Sequence, residues 1–499
     1  MSQTAYKRFR LALARSPLMR WRLTGGLTGG LGGGPDAPSA PDEPWFPDPT
    51  PVPGLAEAFY LGRLRLAGTE RKRAHPPFDA QGFGDDAPLA WHEALHGFGW
   101  LRAMRDESTP LAQAHAQALV GDWLTLIGTD LGHPAWRPHI AVRRLDAWLT
   151  HRDFLSGADP KPFARALAQH GRALRMMAAG ADDATQSEIA LVLAIANPRA
   201  RMSRAGLRAL GEDAETILVR GELRDAVRRL ALLRRAQAAR DVPPGVSQAA
   251  DGLARRIATV IHASGTLAQF GGTGWLPDGF AALLVGDASG STDAAYGRLE
   301  DGGAVALLDL GQNPLDGAGA LELSAPEGPI VTSCGLTERA GDLRDALASA
   351  AAHSTLDTGD DAPGNARETR DTSEGLALVV ERGAVVHRRK LRFVETGLTG
   401  EDEIEGLGAP ATLRFHLADT VVARQRGDHA VALALGDASW TFHCRDAAVR
   451  LEPTVLFAEA AAEWSEGRGR ASQQIVVDVP PSSAGASATQ LRWMFVREP

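Results

Sequence analysis

Four short stretches carry side chains whose types and spacing suit chemistry. AAHSTLDTG (351–359) sets His353 at the foot of a long polar loop, 357–375. A histidine there is either a general base at the mouth of a site or a ring held by a neighbouring loop, because imidazole exchanges protons near neutrality. AYGRLED (295–301) holds Tyr296 and Arg298. Two residues apart on a strand they share a face. A phenol able to donate a proton would stand beside a planar guanidinium able to grip a carboxylate, unless both merely stabilise a domain joint. WHEALH (91–96) places His92 and His96 four residues apart on one helical face with Glu93 between them. That is formally the His-Glu-x-x-His spelling of a zinc hydrolase, yet no third ligand follows at a familiar spacing. His96 would otherwise contact a sugar or simply face its neighbours. Trp100, Trp136 and Trp148 offer flat indoles that either stack on sugar rings or pack between helices, and Arg144 would meet a sulfate or carboxylate.

These groups must be positioned by a chain of 499 residues, long enough for several domains. Apolar content of 44% and charged content of 23% fit a globular protein. The net charge is −8 and no long basic block stands out, so nucleic-acid binding has little support. An acidic protein can still bind an anionic sugar through a locally basic cleft. Only Cys334 and Cys444 are present, which makes neither a disulfide framework nor a paired-cysteine metal site. No apolar run is long enough for a membrane span. The basic start, MSQTAYKRFRLALARSPLMRWRLTGG, is interrupted by arginine and lacks the core of a secretory signal. It reads as an amphipathic helix, and cytoplasmic residence is the default expectation.

The two halves have different periods. Residues 1–55 form a basic and then Gly/Pro-rich lead-in. Over 56–280, Ala/Leu/Arg-rich stretches such as PLAQAHAQALVGDWLTLIG and AVRRLDAWLTHRDFL repeat apolar residues at three- and four-residue spacing. That is the period of amphipathic helices, broken by Gly and Pro, and successive helical hairpins are expected. Over 281–499 the period becomes two, in pieces such as GAVALLDLG, HRRKLRFVE and TQLRWMFVRE. Many short strands with turn residues between them predict an antiparallel β-sandwich. The fold class is therefore α+β and multidomain, helices first.

Read in order, several stretches resemble the heparinase II/III-like family of polysaccharide lyases. They are LHGFGWLRAM, WRPHIAVRRLDAWLTH, IHASGTLAQFGG, AYGRLEDGGAVALLDLGQNP, AAHSTLDTG, HRRKLRFVETGLTGEDEIEG, LRFHLADTVVA and VRLEPTVLF. Together they spread over roughly 400 residues. The resemblance implies an incomplete α/α-toroid followed by the β-sandwich. It implies a carbon–oxygen lyase that cleaves a uronic-acid polysaccharide by β-elimination, with an acidic polysaccharide or oligosaccharide as partner. In that frame His353 and Tyr296 are the catalytic residues. Arg298, Arg144, Trp100, Trp136 and His96 hold substrate. No cofactor is required. A structural divalent metal, held by some relatives, lacks support here because Thr355 stands where a second histidine is wanted. The toroid motif is degenerate: ILVRGELRDAVRRL has neither the histidine nor the tyrosine of active relatives, and ANPRAR offers only Asn197. The alternatives are a catalytically impaired carbohydrate-binding or envelope-scaffold relative and, further off, the zinc hydrolase built on His92, Glu93 and His96. The resemblance also brings the periplasm into consideration.

Overall fold

The computed structural model describes residues 55–67, 69–73, 76–83, 87–157, 161–196, 204–217, 223–239, 241–270, 279–311, 317–335, 342–359, 364–372, 375–457, 469–481 and 488–498. Asn197 and the polar loop around 360–363 lie outside them. Two compact units divide the chain. One holds described residues up to Ala214 together with Arg228–Ala250, and the other holds Glu215–Val227 and nearly everything from Asp251 onward. The division runs within three helices.

In the helical unit the order is α1 (Leu55–Tyr60), a hairpin of β1 (Arg63–Leu66) and β2 (Thr69–Lys72), then α2 (Leu89–Gly97), α3 (Leu101–Asp106), α4 (Pro110–Leu126), α5 (Pro138–Thr150), α6 (Arg152–Leu155), α7 (Lys161–Met177) and α8 (Asp183–Ala196). The helices α9 (Arg204–Thr216), α10 (Leu223–Ala239) and α11 (Pro244–Thr259) follow. Local chemistry starts and stops them. The Thr109 hydroxyl accepts from the Ala112 amide at 3.1 Å, with Pro110 as the first helical residue of α4. Phe98 ends α2 in the left-handed conformation, φ 63°. Central α5 packs against α2, α7 and α8. Its buried residues Ala141, Arg144, Leu145 and Trp148 recur at three and four, as one face of a helix must.

In the other unit α12 (Phe280–Val285) precedes β3 (Tyr296–Asp301), β4 (Ala304–Asp309), β5 (Leu321–Ala325) and β6 (Gly328–Thr332). After α13 (Asp342–Ala348) come β7 (Leu356–Asp357), β8 (Asn365–Thr372), β9 (Gly375–Arg382), β10 (Val385–Val394), β11 (Gly397–Glu405) and β12 (Ala411–Leu417). The last strands are β13 (Val422–Gln425), β14 (Ala430–Leu435), β15 (Ala438–Cys444), β16 (Val449–Leu456), β17 (Arg470–Val479) and β18 (Thr489–Arg497). One sheet runs β13-β14-β15-β18-β11-β10-β9-β8. The other runs β16-β17-β12-β6-β5-β4-β3, with β7 also paired to β12. The pairings are antiparallel; the buried–intermediate alternation along β9 is the signature of a strand with one face inward. Apolar residues of both sheets, among them Leu321, Leu378, Leu413, Phe415 and Phe495, form one core cluster.

Polar groups cross that core. Arg389 on β10 donates from Nε to Asp402 Oδ1 at 2.7 Å and from Nη1 to the carbonyls of Gly319 and Ser354 at 2.7 and 3.1 Å. His387 lies 2.6 Å from Asp402 Oδ1, and Trp493 Nε1 donates to Asp402 Oδ2 at 2.6 Å. The Trp493 ring needs Gly400 opposite it, for a Cβ there would meet the indole at 2.0 Å. Burial raises the proton affinity of the Asp402 carboxyl, but Arg389 and His387 more than offset it and hold the group well below the ordinary carboxylate range.

The pH dependence of stability follows in two stages. Burial lowers His151 and His416 to about 3. Below the unfolded value of about 6.5 the unfolded chain therefore takes up protons that the folded chain refuses, and stability falls as pH falls. Asp402 contributes above the unfolded carboxylate value of about 4, and that contribution is lost as pH drops further. Urea midpoints measured from pH 7 to pH 3 should decline throughout. Asp402→Asn should flatten the stretch below about pH 4 and leave the slope between 6 and 4 in place.

Candidate functional site

The residues expected to do chemistry in the β unit lie near one another, but beneath the surface. Tyr296 begins β3 and is the cross-strand partner of Asp309 at the end of β4. Asp309 Oδ1 accepts from the Gly311 amide at 2.8 Å. Its other oxygen lies against Gly317, where a Cβ would meet Asp309 Oδ2 at 2.9 Å and His353 Nδ1 at 3.5 Å. Gly317 thus leaves room for a carboxylate and an imidazole on the same piece of backbone. Tyr296, Asp309 and His353 form a short polar string. His353 is 1% exposed and Tyr296 is fully buried, its ring stacked on Phe270 at 5.6 Å. Both side chains therefore lie beneath the surface of this unit. The backbone of 353–356 is woven into the sheets instead. The Ser354 hydroxyl donates to the Thr332 carbonyl at 2.8 Å, and Thr355 donates to Ala318 at 3.0 Å.

Burial, followed by the charges of Asp309 and Asp293, raises the Tyr296 phenol well above its ordinary value. The phenol stays protonated, so its chemistry is that of a donor and not of a base. Its oxygen has no hydrogen-bond partner among the described residues. Arg298 is also committed elsewhere. Its Nη1 donates to the Thr259 and Ile261 carbonyls at 2.9 and 2.6 Å, and its Nε and Nη2 hold Glu300. The fork expected to grip a substrate carboxylate therefore binds the end of α11. Arg298 does line an open depression of about 690 Å³ with His262, Glu300, Asp301, Gly302 and Pro326.

Three groups of this site were not singled out beforehand: Asp309, Glu322 and His262. His262 Nε2 lies 2.9 Å from Glu322 Oε2, and its Nδ1 lies 3.1 Å from the Ser324 hydroxyl. Glu322 is fully buried and accepts from the Gln269 amide at 3.0 Å. The signal for them was a carboxylate inside an apolar strand, in AVALLD and LELSA, which a pattern of alternating polarity discounts. His416 sits between Cys334 Sγ at 3.4 Å, Thr454 Oγ1 at 3.1 Å and the Ala351 carbonyl at 3.0 Å.

In the helical unit the expected substrate contacts are core. Arg144 is fully buried, with its guanidinium carbon 4.0 Å from the Trp123 ring centroid, 5.1 Å from Trp136 and 6.0 Å from Trp148. It donates to His170 Nε2 at 3.0 Å and to the carbonyls of His96 and Ala135 at 2.9 and 3.0 Å. Aromatic faces and carbonyls, not a carboxylate, take up its charge. Trp100 and Trp136 are buried and donate to the Leu95 and Ile127 carbonyls at 3.0 and 3.1 Å. His96 accepts from Trp123 Nε1 at 3.1 Å and is 2% exposed. All four side chains pack within the helical unit.

The same packing answers WHEALH. His92 stacks flat on Phe83 at 4.3 Å, and its ring centroid is 6.4 Å from that of His96. Glu93 points elsewhere, to His139 Nε2 at 2.8 Å. Among the described residues no three His, Cys, Asp or Glu side chains converge as metal ligands. No helix among the described residues is long and apolar enough to cross a membrane.

Residues 288–494 match the model of the family described as Heparinase II/III-like, C-terminal. Solved structures extend the likeness to both units. A structure of heparinase III covers 92% of this chain and 87% of its own, with a TM-score of 0.62 at 13% identity. A mutant of the heparan sulfate lyase HepC from Pedobacter heparinus covers 99% and 89%, with a TM-score of 0.57 at 13% identity. At such identities the likeness is one of fold. No curated protein sequence matches the chain.

Two substitutions check the placement of these groups. Tyr296→Phe removes a buried hydroxyl that has no partner among the described residues, so the unfolding free energy should stay level or rise by up to about 1 kcal/mol. Arg144→Ala leaves two carbonyls unpaired and opens a hole among three indoles, and should cost about 3 kcal/mol or more. Arg144→Met, which refills the volume, should recover part of that loss in the same urea titration.

Proposed function

We propose that the protein is a polysaccharide lyase of the heparinase II/III-like type, built as an α/α-toroid followed by a β-sandwich, which cleaves a uronic-acid-containing acidic polysaccharide by β-elimination. One observation carries the reading. The chain shares its fold, over both units, with structures of heparinase III and of a heparan sulfate lyase, and residues 288–494 match the heparinase II/III-like C-terminal family model. The reaction needs three things: neutralisation of the uronate carboxylate, a base for the proton beside it, and a proton for the departing glycosidic oxygen. Tyr296, held protonated, suits the last, and His353 near Asp309 suits acid–base or carboxylate-facing work.

The burial of those two side chains favours a second reading, a relative that binds acidic carbohydrate without cleaving it. A panel of heparin, alginate, polygalacturonate and bacterial exopolysaccharides separates the two. The lyase reading expects unsaturated uronate, detected by its ultraviolet absorbance, from at least one polymer. Binding without product across the panel would establish the second reading instead.

A further inference from the structure

We infer that segment 76–83 of the helical unit is an acid-released strap, held closed over a cluster of three histidines by the neutral ring of His133. The inference is independent of the lyase reading.

The segment, PPFDAQGF, lies between β2 and α2 and belongs to no helix or strand. Pro77, Phe78 and Gly82 are buried and Phe83 is partly buried, whereas Asp79, Ala80 and Gln81 are exposed. Phe83 lies flat on His92, with ring centroids 4.3 Å apart and planes 5° apart. It also meets His96 at 5.3 Å and His133 at 5.9 Å. Phe78 stacks on Phe98 at 5.8 Å and reaches His96 at 5.7 Å. Gly82 takes φ 131°, where a side chain would be strained, and a Cβ there would meet Pro134, the neighbour of His133, at 3.8 Å. Two phenyl rings thus rest against His92, His96 and His133.

Among the described residues a single hydrogen bond joins this segment to the rest of the unit. It runs from His133 Nε2 to the Asp79 carbonyl at 2.9 Å. A carbonyl accepts only, so Nε2 carries the proton. The other ring nitrogen, Nδ1, accepts from the Ala135 amide at 3.0 Å and caps the short turn Pro134–Trp136. The ring is therefore neutral and both of its nitrogens are in use. A second proton can enter only at Nδ1, where it would face the Ala135 N–H. The imidazolium must swing away from that amide, and the same rotation withdraws Nε2 from Asp79. One protonation thus removes both a cap and the strap's hydrogen bond.

The charges around the cluster belong to several elements. His133 faces Asp79, Asp130 and Arg144; His92 faces Arg73 and Asp79; His96 faces Arg144 and the other two histidines. The Arg137 guanidinium lies 5.9 Å from the Phe83 ring centroid. Burial is the largest influence on each of the three histidines and lowers all of them below their ordinary value. Lifting the strap lets water reach the rings and returns them toward that value. The open form therefore binds protons more tightly than the closed one. Closure is favoured above the open-state value of about 6.5 and weakens as pH falls below it.

The test places a nitroxide on Ala80→Cys, since Ala80 is exposed and the native Cys334 and Cys444 are buried. A separate sample carries the label on Leu111→Cys, an exposed position on α4 of the same unit. Electron paramagnetic resonance spectra are recorded from pH 7.5 to 4.5. The mobile fraction at residue 80 should grow by up to about tenfold per pH unit for each proton taken up, with residue 111 unchanged. His133→Gln keeps a donor near the Nε2 position but cannot take up the proton, so the label at residue 80 should stay immobile throughout. His133→Asn keeps only the acceptor that caps the turn, and should raise the mobile fraction equally at every pH. If one of these variants does not fold, the other decides. A pH response that survives in a folded His133 variant overturns the inference, as does a wild-type spectrum that does not change. Equal loosening at residues 80 and 111 also overturns it, because the whole unit would then be melting.

Discussion

The guanidinium of Arg389 is the interaction around which the β unit is arranged. It leaves β10 inside an apolar core, where an unpaired cation would be prohibitively costly. Its partners solve that cost and tie distant parts of the chain at once. Asp402 comes from the next strand, and the carbonyls of Gly319 and Ser354 come from segments leading into and out of the other sheet. Asp402 in turn holds His387 and Trp493, so one carboxylate serves three donors. The position of the 353–356 segment depends on this arrangement. Ser354 lends its carbonyl to Arg389 and its hydroxyl to Thr332, and its neighbour His353 is carried inward with it.

The helical unit meets the same constraint by different means. Among the described residues Arg144 meets no carboxylate, and its charge is spread over three indole faces, two carbonyls and the lone pair of His170. That solution requires His170 to be neutral, and burial followed by the Arg144 charge lowers its proton affinity accordingly. The tryptophans and the arginine that make a sugar-binding pattern in the sequence are used up in stabilising one another. His139 and Glu93, by contrast, pair at 2.8 Å and stay partly exposed.

These two buried cations bear on function. A lyase for acidic chains needs positive charge where the polymer can reach it. Arg144 and Arg389 cannot provide it, and Arg298 spends its fork on the end of α11 and on Glu300.

Periodicity alone determined the broad plan. A spacing of three and four gave helices before residue 260, and a spacing of two gave antiparallel strands after 295, because each backbone geometry turns its side chains to a solvent boundary at its own fixed interval. Quoted motifs also sufficed to identify the heparinase-like family. The candidate site was legible only in part. Asp309, the cross-strand partner of Tyr296 that shares the space at Gly317 with His353, was hidden in a strand whose pattern reads as apolar. Nothing in WRPHIAV or WHEALH ties His139 to Glu93, since the two are 46 residues apart and meet only because α2 packs on α5. Residue type and spacing say which groups are able to do chemistry. Whether such a group is buried, spent on a carbonyl or left open with a lone pair depends on contacts across the chain, and only the tertiary structure decided that.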